Sequence, residues 1–189
     1  MILSCGEHLE LHSFQEKWAE ELFELVEYNR EHLLPWLAWV PRIKTVRDTR
    51  VFLKRSQSFV ETEKVFRGGI FWNRKLVGTV GITGTDTFPS DRKGNIGYWL
   101  SKDMTGKGIM ARSVYRVLEH AFLDANLHRI ELKAATDNPK SWSIAQRLGF
   151  MREGCIRQCS FVHGRFLDIY VYGMLRSDFL AQNHVSSFP

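Results

Sequence analysis

The segment Ile96–Ala111, IGYWLSKDMTGKGIMA, constrains the fold of this chain more than any other part of it. A β-rich run ends near Leu100, and Gly106-Lys107-Gly108 then opens a long helix with apolar periodicity. The first turn of such a helix has unpaired amides, with the positive end of the helix dipole behind them. Glycine lets a ligand approach that backbone because it has no Cβ. The segment therefore predicts a phosphate or pyrophosphate site at residues 106–111, to which Lys107 adds positive charge. The alternative is a glycine-rich helix start without a ligand.

The spacing of these glycines can be compared with two known phosphate-binding motifs. The phosphate-loop pattern fails, because residue 101 is not glycine and neither Ser nor Thr follows Lys107. The dinucleotide fingerprint matches formally as Gly106-x-Gly108-x-x-Ala111. However, Ser101–Thr105 separates the strand from the first glycine, whereas that motif needs the turn directly after the strand. A nucleotide-dependent oxidoreductase is therefore the weaker alternative.

Short apolar and β-branched runs predict a sheet around this unit. The predicted strands are Leu9–His12, Val65–Trp72, Leu76–Thr83, Asn95–Leu100, His128–Ala135, Cys155–Val162 and Arg165–Met174. A polar turn after Trp72 and the pair His163-Gly164 predict antiparallel hairpins. A helix separates Asn95–Leu100 from His128–Ala135, so these two strands are expected to pair in parallel.

Helical periodicity and capping residues predict the helices. They run from the residues after Glu16 to about Tyr28, from Thr45 to about Glu61, from Gly108 to Ala125 and from Asn138 to Leu148. The first is expected to start at a capping box, Ser13-Phe14-Gln15-Glu16. The predicted fold class is therefore α/β (α+β), with a mixed, mostly antiparallel central sheet and flanking helices.

Composition limits the class of protein. The 189 residues, with 44% hydrophobic and 25% charged side chains, fit one globular domain, with a core over about residues 8–175 and a short C-terminal tail. The net charge of +5 suits an anionic ligand, but the basic residues are scattered, which argues against a nucleic-acid partner. No apolar run reaches the roughly 18 residues of a membrane helix.

The cysteines and the N-terminal residues indicate the cellular compartment in which the protein is expected. Cys5, Cys155 and Cys159 cannot all pair within one chain, which favours a reducing cytoplasm. The first ten residues, MILSCGEHLE, lack the pattern of a secretory signal. Cys155 and Cys159 are four residues apart on a predicted strand and are interpreted as small packing residues that share a face. No metal site is expected from this spacing.

Several motifs together resemble one family. The strand and Gly-x-Gly helix start are followed by Asn138-Pro139-Lys140-Ser141 and Leu148-Gly149-Phe150. This arrangement resembles the GCN5-related N-acetyltransferases (GNAT), and is most similar to the RimL/RimJ-like branch, which acetylates N-terminal amines of ribosomal proteins or related amines. The resemblance extends from about Asn95 to Met174 and implies an acyl-CoA N-acyltransferase fold.

The resemblance implies a role for each matched residue. The pyrophosphate of acetyl-CoA is expected on the amides of Gly106, Gly108, Ile109, Met110 and Ala111. The pantetheine arm is expected beside the backbone of Trp99, Leu100 and Ser101, with Asn138 hydrogen-bonded to it. Ser141 is expected beside the thioester sulfur, as an acid or a stabiliser of the thiolate. Thr105 departs from the family, which has Gln or Arg at that position.

The acceptor side is less defined. In the branch a Glu on the strand after Phe150 is a proposed base, but this chain has Ser160 there, which leaves an ordered water or His163 as alternatives. Trp36 and Trp39 lie in a predicted loop interrupted by proline, Glu31–Lys44. They either line the substrate cleft, as this loop does in the family, or cap the core or a homodimer contact.

The resulting hypothesis is an acetyl-CoA-dependent N-acetyltransferase. A primary amine, most of all the N-terminal amine of a ribosomal-type protein, attacks the thioester directly. An acyl-CoA-binding regulatory module without turnover is the alternative from another functional class, motivated by Thr105 and the missing Glu.

Overall fold

The apolar runs of the chain form one eight-stranded sheet in the computed structural model, which describes residues 1–84 and 89–185. The strands are β1 (Ile2–Ser4), β2 (Leu9–Ser13), β3 (Arg67–Trp72), β4 (Lys75–Thr83), β5 (Lys93–Leu100), β6 (Arg129–Ala135), β7 (Met151–Val162) and β8 (Arg165–Leu175). Their spatial order is β1-β2-β3-β4-β5-β6-β8-β7. Among these described strands, only β5 and β6 pair in parallel. The predicted mixed, mostly antiparallel sheet is confirmed.

Helices cover both faces of the sheet. They are α1 (Ala19–Tyr28), α2 (Arg30–Leu33), α3 (Val46–Glu63), α4 (Ile109–Glu119), α5 (Pro139–Arg147) and α6 (Arg176–Val185). One face packs on α1, α2 and α3 through a cluster that includes Leu22, Leu53 and Trp99. The other face packs on α4, α5 and α6. The sheet is therefore the middle of three layers, and a site at the ends of β5 and β6 is reached from both helical layers.

Two predicted helix features differ from the structure. The capping box at Ser13–Glu16 is wrong, because Ser13 pairs with Gly68 in the sheet and only a 3-10 turn, Glu16–Trp18, precedes α1. A capping box does form at α3, where Thr45 Oγ1 accepts from Asp48 N and Asp48 Oδ2 accepts from Thr45 N. The helix predicted to end at Ala125 ends as a π-helical turn, His120–Asp124.

Two segments predicted as a loop and as a C-terminal tail also contain helix. Residues 31–44 include the end of α2 and a 3-10 turn, Val40–Arg42, rather than irregular chain alone. The predicted C-terminal tail forms α6, in which Phe179 is buried against Phe122. Residues 186–189 of that tail lie outside the described part of the chain.

The pairing of β5 with β6 is incomplete. It runs from Lys93↔Arg129 to Ile96↔Leu132 and then stops. The far sides of both strands stay paired, β5 with β4 as far as Leu100 and β6 with β8 as far as Ala135. The two strands therefore separate over residues 97–100 and 133–135, and the sheet contains a wedge-shaped opening there.

Gly78 holds the end of β5 against β4. A Cβ at this position would lie 2.4 Å from Trp99 O and 3.0 Å from Leu100 Cα. We expect Gly78→Ala to lower the free energy of unfolding by about 1–3 kcal/mol, because the strand must shift to admit the methyl group. The midpoint of thermal unfolding then falls by roughly 2–4 °C for each kcal/mol.

Gly154→Ala is the matched control, because a Cβ at Gly154 meets nothing within 4 Å. Thermal unfolding followed by circular dichroism makes the comparison. Equal midpoints for the two variants would contradict the close approach of β4 to β5 at Gly78.

Candidate active site

A cleft of about 980 Å³ occupies the opening between β5 and β6. Its walls are the separated ends of the two strands, the starts of α4 and α5, and α2 with the loop that follows it. Most of the predicted site residues line it, namely Trp36, Trp99, Leu100, Gly106, Gly108, Ile109, Met110, Ala111, Asn138 and Ser141. The fold thus brings together residues that are more than one hundred positions apart in the chain.

The backbone of β5 offers hydrogen-bonding groups to this cleft. Ser101 N donates to Val77 O at 2.8 Å, so the Ser101 backbone N–H is directed at β4. Backbone groups of successive strand residues point in opposite directions, so Trp99 also faces β4. The N–H and C=O groups of Tyr98 and Leu100 therefore face the opening, where β6 no longer pairs with them. An extended ligand is able to bind there as an additional strand.

The start of α4 has the geometry of an anion site. Gly106 and Gly108 adopt φ values of +79° and +73°, in the region that favours glycine. The amides of residues 106–111 donate no hydrogen bond to any residue in the described part of the chain, and the N-cap Gly108 has no side chain to satisfy them. These amides at the positive end of the helix dipole suit a phosphate or pyrophosphate.

Thr105 has a structural role in the preceding turn. Its Oγ1 donates to Lys102 O at 2.9 Å, across the 3-10 turn Lys102–Met104. The short side chain therefore closes the turn that leads into Gly106. Although Thr105 is shorter than the family's Gln or Arg, its side chain still makes a hydrogen bond within this turn.

Ser141 and Tyr98 form a hydroxyl pair inside the cleft. Tyr98 Oη donates to Ser141 O at 2.9 Å, and Ser141 Oγ lies 3.4 Å from Tyr98 Oη. Burial raises the pKa of Tyr98 to about 12, with a smaller opposing contribution from the hydrogen bond to Ser141. The phenol therefore keeps its proton at neutral pH and donates it to the backbone carbonyl of Ser141, while the Ser141 hydroxyl is directed at Tyr98 Oη. Sequence reasoning missed Tyr98, although it lies in the quoted segment IGYWL.

Asn138 holds the backbone of Ser141. Asn138 Oδ1 accepts from Ser141 N at 3.2 Å as the N-cap of α5, and Pro139 occupies the first turn. Trp142 Nε1 donates to Thr136 O at 3.1 Å and fixes the same turn to the end of β6. The motif Asn-Pro-x-Ser thus forms a capped helix start, and this start positions Ser141.

Three predicted site residues lie outside the cleft lining. Ser101 is buried, and its Oγ donates to Asn29 Oδ1 at 3.2 Å. Lys107 is exposed, with Nζ 3.6 Å from Met104 Sδ. Trp39 packs in the core with its ring centroid 6.4 Å from that of Trp99. Of the two tryptophans, Trp36 therefore lines the cleft and Trp39 caps the core.

The far end of the cleft, beyond Ser141, is bounded by the β7–β8 hairpin. Arg165 Nη1 contacts Asp137 Oδ2 at 3.1 Å, Arg165 Nη2 donates to Pro35 O at 3.3 Å, and the guanidinium lies 5.5 Å from the centre of the Trp36 ring. His163 Nε2 lies 3.3 Å from Leu37 O and does not line the cleft. Ser160, at the position of the branch's Glu, does line it.

The interpretation of Cys155 and Cys159 as packing residues is wrong. Both are exposed. The register of β7 against β8 moves from Ile156↔Ile169 to Ser160↔Leu167, so β7 contains two extra residues there and the alternation of faces is lost. Cys159 consequently lines the cleft and Cys155 does not.

A family model described as the acetyltransferase (GNAT) domain matches residues 8–151. The chain belongs to the GNAT acetyltransferase family. It is similar to YdaF of Bacillus subtilis (strain 168), at 30% identity over 92% of this chain and 94% of that protein. It is also similar to the ribosomal-protein-serine acetyltransferase of Escherichia coli (strain K12), at 27% identity over 92% of this chain and 96% of that protein.

The acetyltransferase shares its fold with RimL, a ribosomal L7/L12 α-N-protein acetyltransferase solved in complex with coenzyme A. The TM-score is 0.88 at 24% identity, over 94% of this chain and 99% of that chain. The predicted family, fold and activity are confirmed: the protein is an N-acetyltransferase that uses acetyl-CoA as co-substrate. The oxidoreductase alternative fails, because a dinucleotide fold needs a mainly parallel sheet.

In residues 1–84 and 89–185, no group of three or more His, Cys, Asp or Glu side chains is arranged to hold a metal ion. None of the helices in this part of the chain has the length and hydropathy needed to cross a membrane.

The N-cap at Asn138 is expected to be exchangeable for aspartate. Asn138→Ala should destabilise the acetyltransferase by about 1 kcal/mol, because the amide of Ser141 loses its acceptor. Asn138→Asp should keep the thermal midpoint of the wild type, because a carboxylate accepts the same hydrogen bond and suits the helix N-terminus. A midpoint for Asn138→Asp as low as that for Asn138→Ala would disprove the capping role.

Proposed function

We propose that the enzyme acetylates the N-terminal α-amine of a protein of the ribosomal class. The names of two relatives, a ribosomal-protein-serine acetyltransferase and a ribosomal L7/L12 α-N-protein acetyltransferase, support this acceptor. The observation that carries the proposal is the single cleft between β5 and β6, which combines an unpaired strand edge, the hydroxyls of Tyr98 and Ser141, and Trp36. Such a cleft is able to receive a thioester and an extended peptide terminus from opposite ends.

The proposed donor subsite begins at the start of α4. The pyrophosphate of acetyl-CoA binds the amides of Gly106, Gly108, Ile109, Met110 and Ala111, supported by their lack of hydrogen bonds to described residues. The exposed ammonium of Lys107 contributes attraction at longer range rather than a contact inside the cleft.

The proposed path of the pantetheine arm follows the free edge of β5. The arm pairs with the backbone of residues 98–100, and Asn138 hydrogen-bonds to it. Since the amide of Trp99 faces β4, the amide of Leu100 or Tyr98 is the donor we assign to the thioester carbonyl oxygen. A preorganised amide there stabilises the negative charge that develops on this oxygen.

Ser141 is the proposed acid. Its hydroxyl lies beside Tyr98 at the open strand edge and donates to the sulfur as the carbon–sulfur bond breaks. The amine attacks the thioester carbon directly, without an acyl-enzyme. The protonated phenol of Tyr98 stabilises the position of Ser141 throughout the reaction.

The compartment and the assembly are parts of the same proposal. The free cysteines Cys5, Cys155 and Cys159 support a reducing cytoplasm. For a homodimer, we place the contact on strand β7, whose apolar residues Met151 and Phe161 are 68% and 58% exposed.

Removal of the Ser141 hydroxyl should slow the chemical step. We expect Ser141→Ala to lower kcat about 10²-fold, while the Kd for acetyl-CoA changes less than twofold, because the hydroxyl acts on the leaving sulfur. Thiol release measures kcat, and calorimetry measures Kd. Ser177→Ala, an exposed serine on α6, is the control. Unchanged kcat in Ser141→Ala would rule out the acid role.

The acceptor class is tested with matched peptides. A synthetic peptide with a ribosomal-protein N-terminus and one internal Lys is offered with its α-amine free or blocked. We expect one acetyl group on the free α-amine, located by mass spectrometry, and at most a tenth of that rate on the blocked peptide or on spermidine. Faster turnover of spermidine than of the free peptide would overturn the proposed acceptor.

A further inference from the structure

His32 lies on the wall of the cleft, although neither its sequence context nor the family motifs indicate this position. It lines the cleft from α2. The charged groups that act on it are Lys102, two residues after the end of β5, and Lys140, in the first turn of α5 beside Ser141. His32 and Ser141 thus line the same cleft, and the imidazole is near enough to Lys102 and Lys140 to be affected by their charges.

Asn29 fixes this placement. It is fully buried, and its Nδ2 donates to Leu25 O at 2.8 Å. Its Oδ1 accepts from Ser101 Oγ at 3.2 Å and from Lys102 N at 2.9 Å, and these are the first two residues after β5. One buried amide therefore joins the α1–α2 junction to the end of β5, and His32 is three residues further on.

Arg30 stabilises the other side of the same turn. Its guanidinium donates to Val40 O at 2.9 Å and to Ile43 O at 2.6 Å, which ties the loop after α2 back to α2. Leu33 is buried, and its amide donates to Asn29 O at 3.0 Å. The backbone that presents His32 is held on both sides of the residue.

The other polar side chains that line the cleft are unsuited to accept a proton. Lys133, Lys140 and Arg147 are cations, and Asp137 is paired with Arg165. Tyr98 keeps its proton because burial raises its pKa to about 12. Ser141, Ser143 and Ser160 offer hydroxyls, and the sulfur of Cys159 is a weak hydrogen-bond acceptor.

His32 differs from these groups because its side chain, neutral at physiological pH, carries a ring nitrogen that readily accepts a proton. Burial is the main cause that lowers the pKa of His32 from 6.5, and the charges of Lys140 and Lys102 lower it further. A neutral imidazole has one ring nitrogen free to accept a proton. Among the described residues that line the cleft, His32 therefore has the properties of a base.

We propose that His32 is the catalytic base that removes a proton from the acceptor amine; this inference rests on the proposed function. Two protons leave the ammonium nitrogen. The first passes to a ring nitrogen of His32 and then to water. The nitrogen lone pair forms the carbon–nitrogen bond, and the electron pair of the carbon–sulfur bond leaves with the sulfur. The second proton reaches that sulfur through the Ser141 hydroxyl.

The basicity of an imidazole also selects the class of amine. A protein α-amine has an ordinary pKa of about 7.7–8.0, so roughly one molecule in nine is neutral at pH 7. A lysine-type amine has a pKa of about 10.4, so only roughly one in 2,500 is neutral. Proton transfer to an imidazole is far less unfavourable from the α-amine, since the two groups are closer in pKa. His32 thus favours N-terminal acceptors over lysine side chains and polyamines.

The test compares pH profiles of kcat/KM for the wild type and His32→Gln, from pH 5 to 9, with the best acceptor of the wild type. Because the pKa of His32 is lowered, its base form increases with pH below about 6.5, and the wild-type rate should rise through that range. In His32→Gln this limb should be replaced by a rise that continues to the pKa of the acceptor amine, about 7.7–8.0 for an α-amine, and kcat at pH 7 should fall about 10²-fold. The Kd for acetyl-CoA should change less than twofold, which also shows that the variant folds.

Two control variants make the test specific. His128→Gln alters an exposed histidine before β6 and should keep the wild-type profile. His163→Gln alters the histidine of the hairpin turn and should also keep the acidic limb. Added imidazole should restore part of the activity of His32→Gly and none of that of Ser141→Ala. Retention of the acidic limb in His32→Gln, or its loss in His163→Gln, would overturn the assignment.

Different results would contradict the proposed acceptor and the proposed base. If the wild type prefers spermidine, the acceptor proposal is wrong, but the pH profiles measured with spermidine still decide the role of His32. If the wild type acetylates the α-amine and His32→Gln keeps at least half of the wild-type kcat at pH 7, the acceptor stands and the base is wrong.

Discussion

The end of hydrogen bonding between β5 and β6 at Ile96 and Leu132 is the constraint on which the site depends. A sheet that loses pairing in its middle exposes backbone donors and acceptors that require partners. Here the outer sides of both strands stay paired, so the opening has rigid walls. The unpaired backbone groups of β5 are therefore available to a ligand. A ligand that pairs with β5 as an additional strand restores the missing hydrogen bonds.

The sequence predicts those parts of the site that are formed by residues close together in the chain. The helix start at Gly106–Gly108 and the capped turn at Asn138 are short-range features, because unpaired amides and a side-chain acceptor lie within a few residues. The parallel pairing of β5 and β6 follows from a single crossover helix. These features are the ones on which the proposed donor subsite rests, and the sequence alone indicates both.

Other features depend on contacts between distant residues, and sequence reasoning missed them. Ser13 has the spacing of a helix cap, but strand pairing with Gly68 takes precedence. The alternation that suggested packing for Cys159 is broken by extra residues in β7. His32 has no motif around it, and only the fold brings it near Lys102 and Lys140. The acceptor side therefore could not be derived from spacing.

The rim formed by Arg165, Asp137 and the Trp36 loop has a consequence for diversification of the enzyme. Arg165 begins β8 next to the turn of the hairpin, and Trp36 lies in the loop after α2, outside the strands of the sheet. Insertions or replacements there leave the strand opening and the helix start of α4 undisturbed. A scaffold of this kind is able to acquire a new acceptor by changing two surface segments while its acyl donor stays the same.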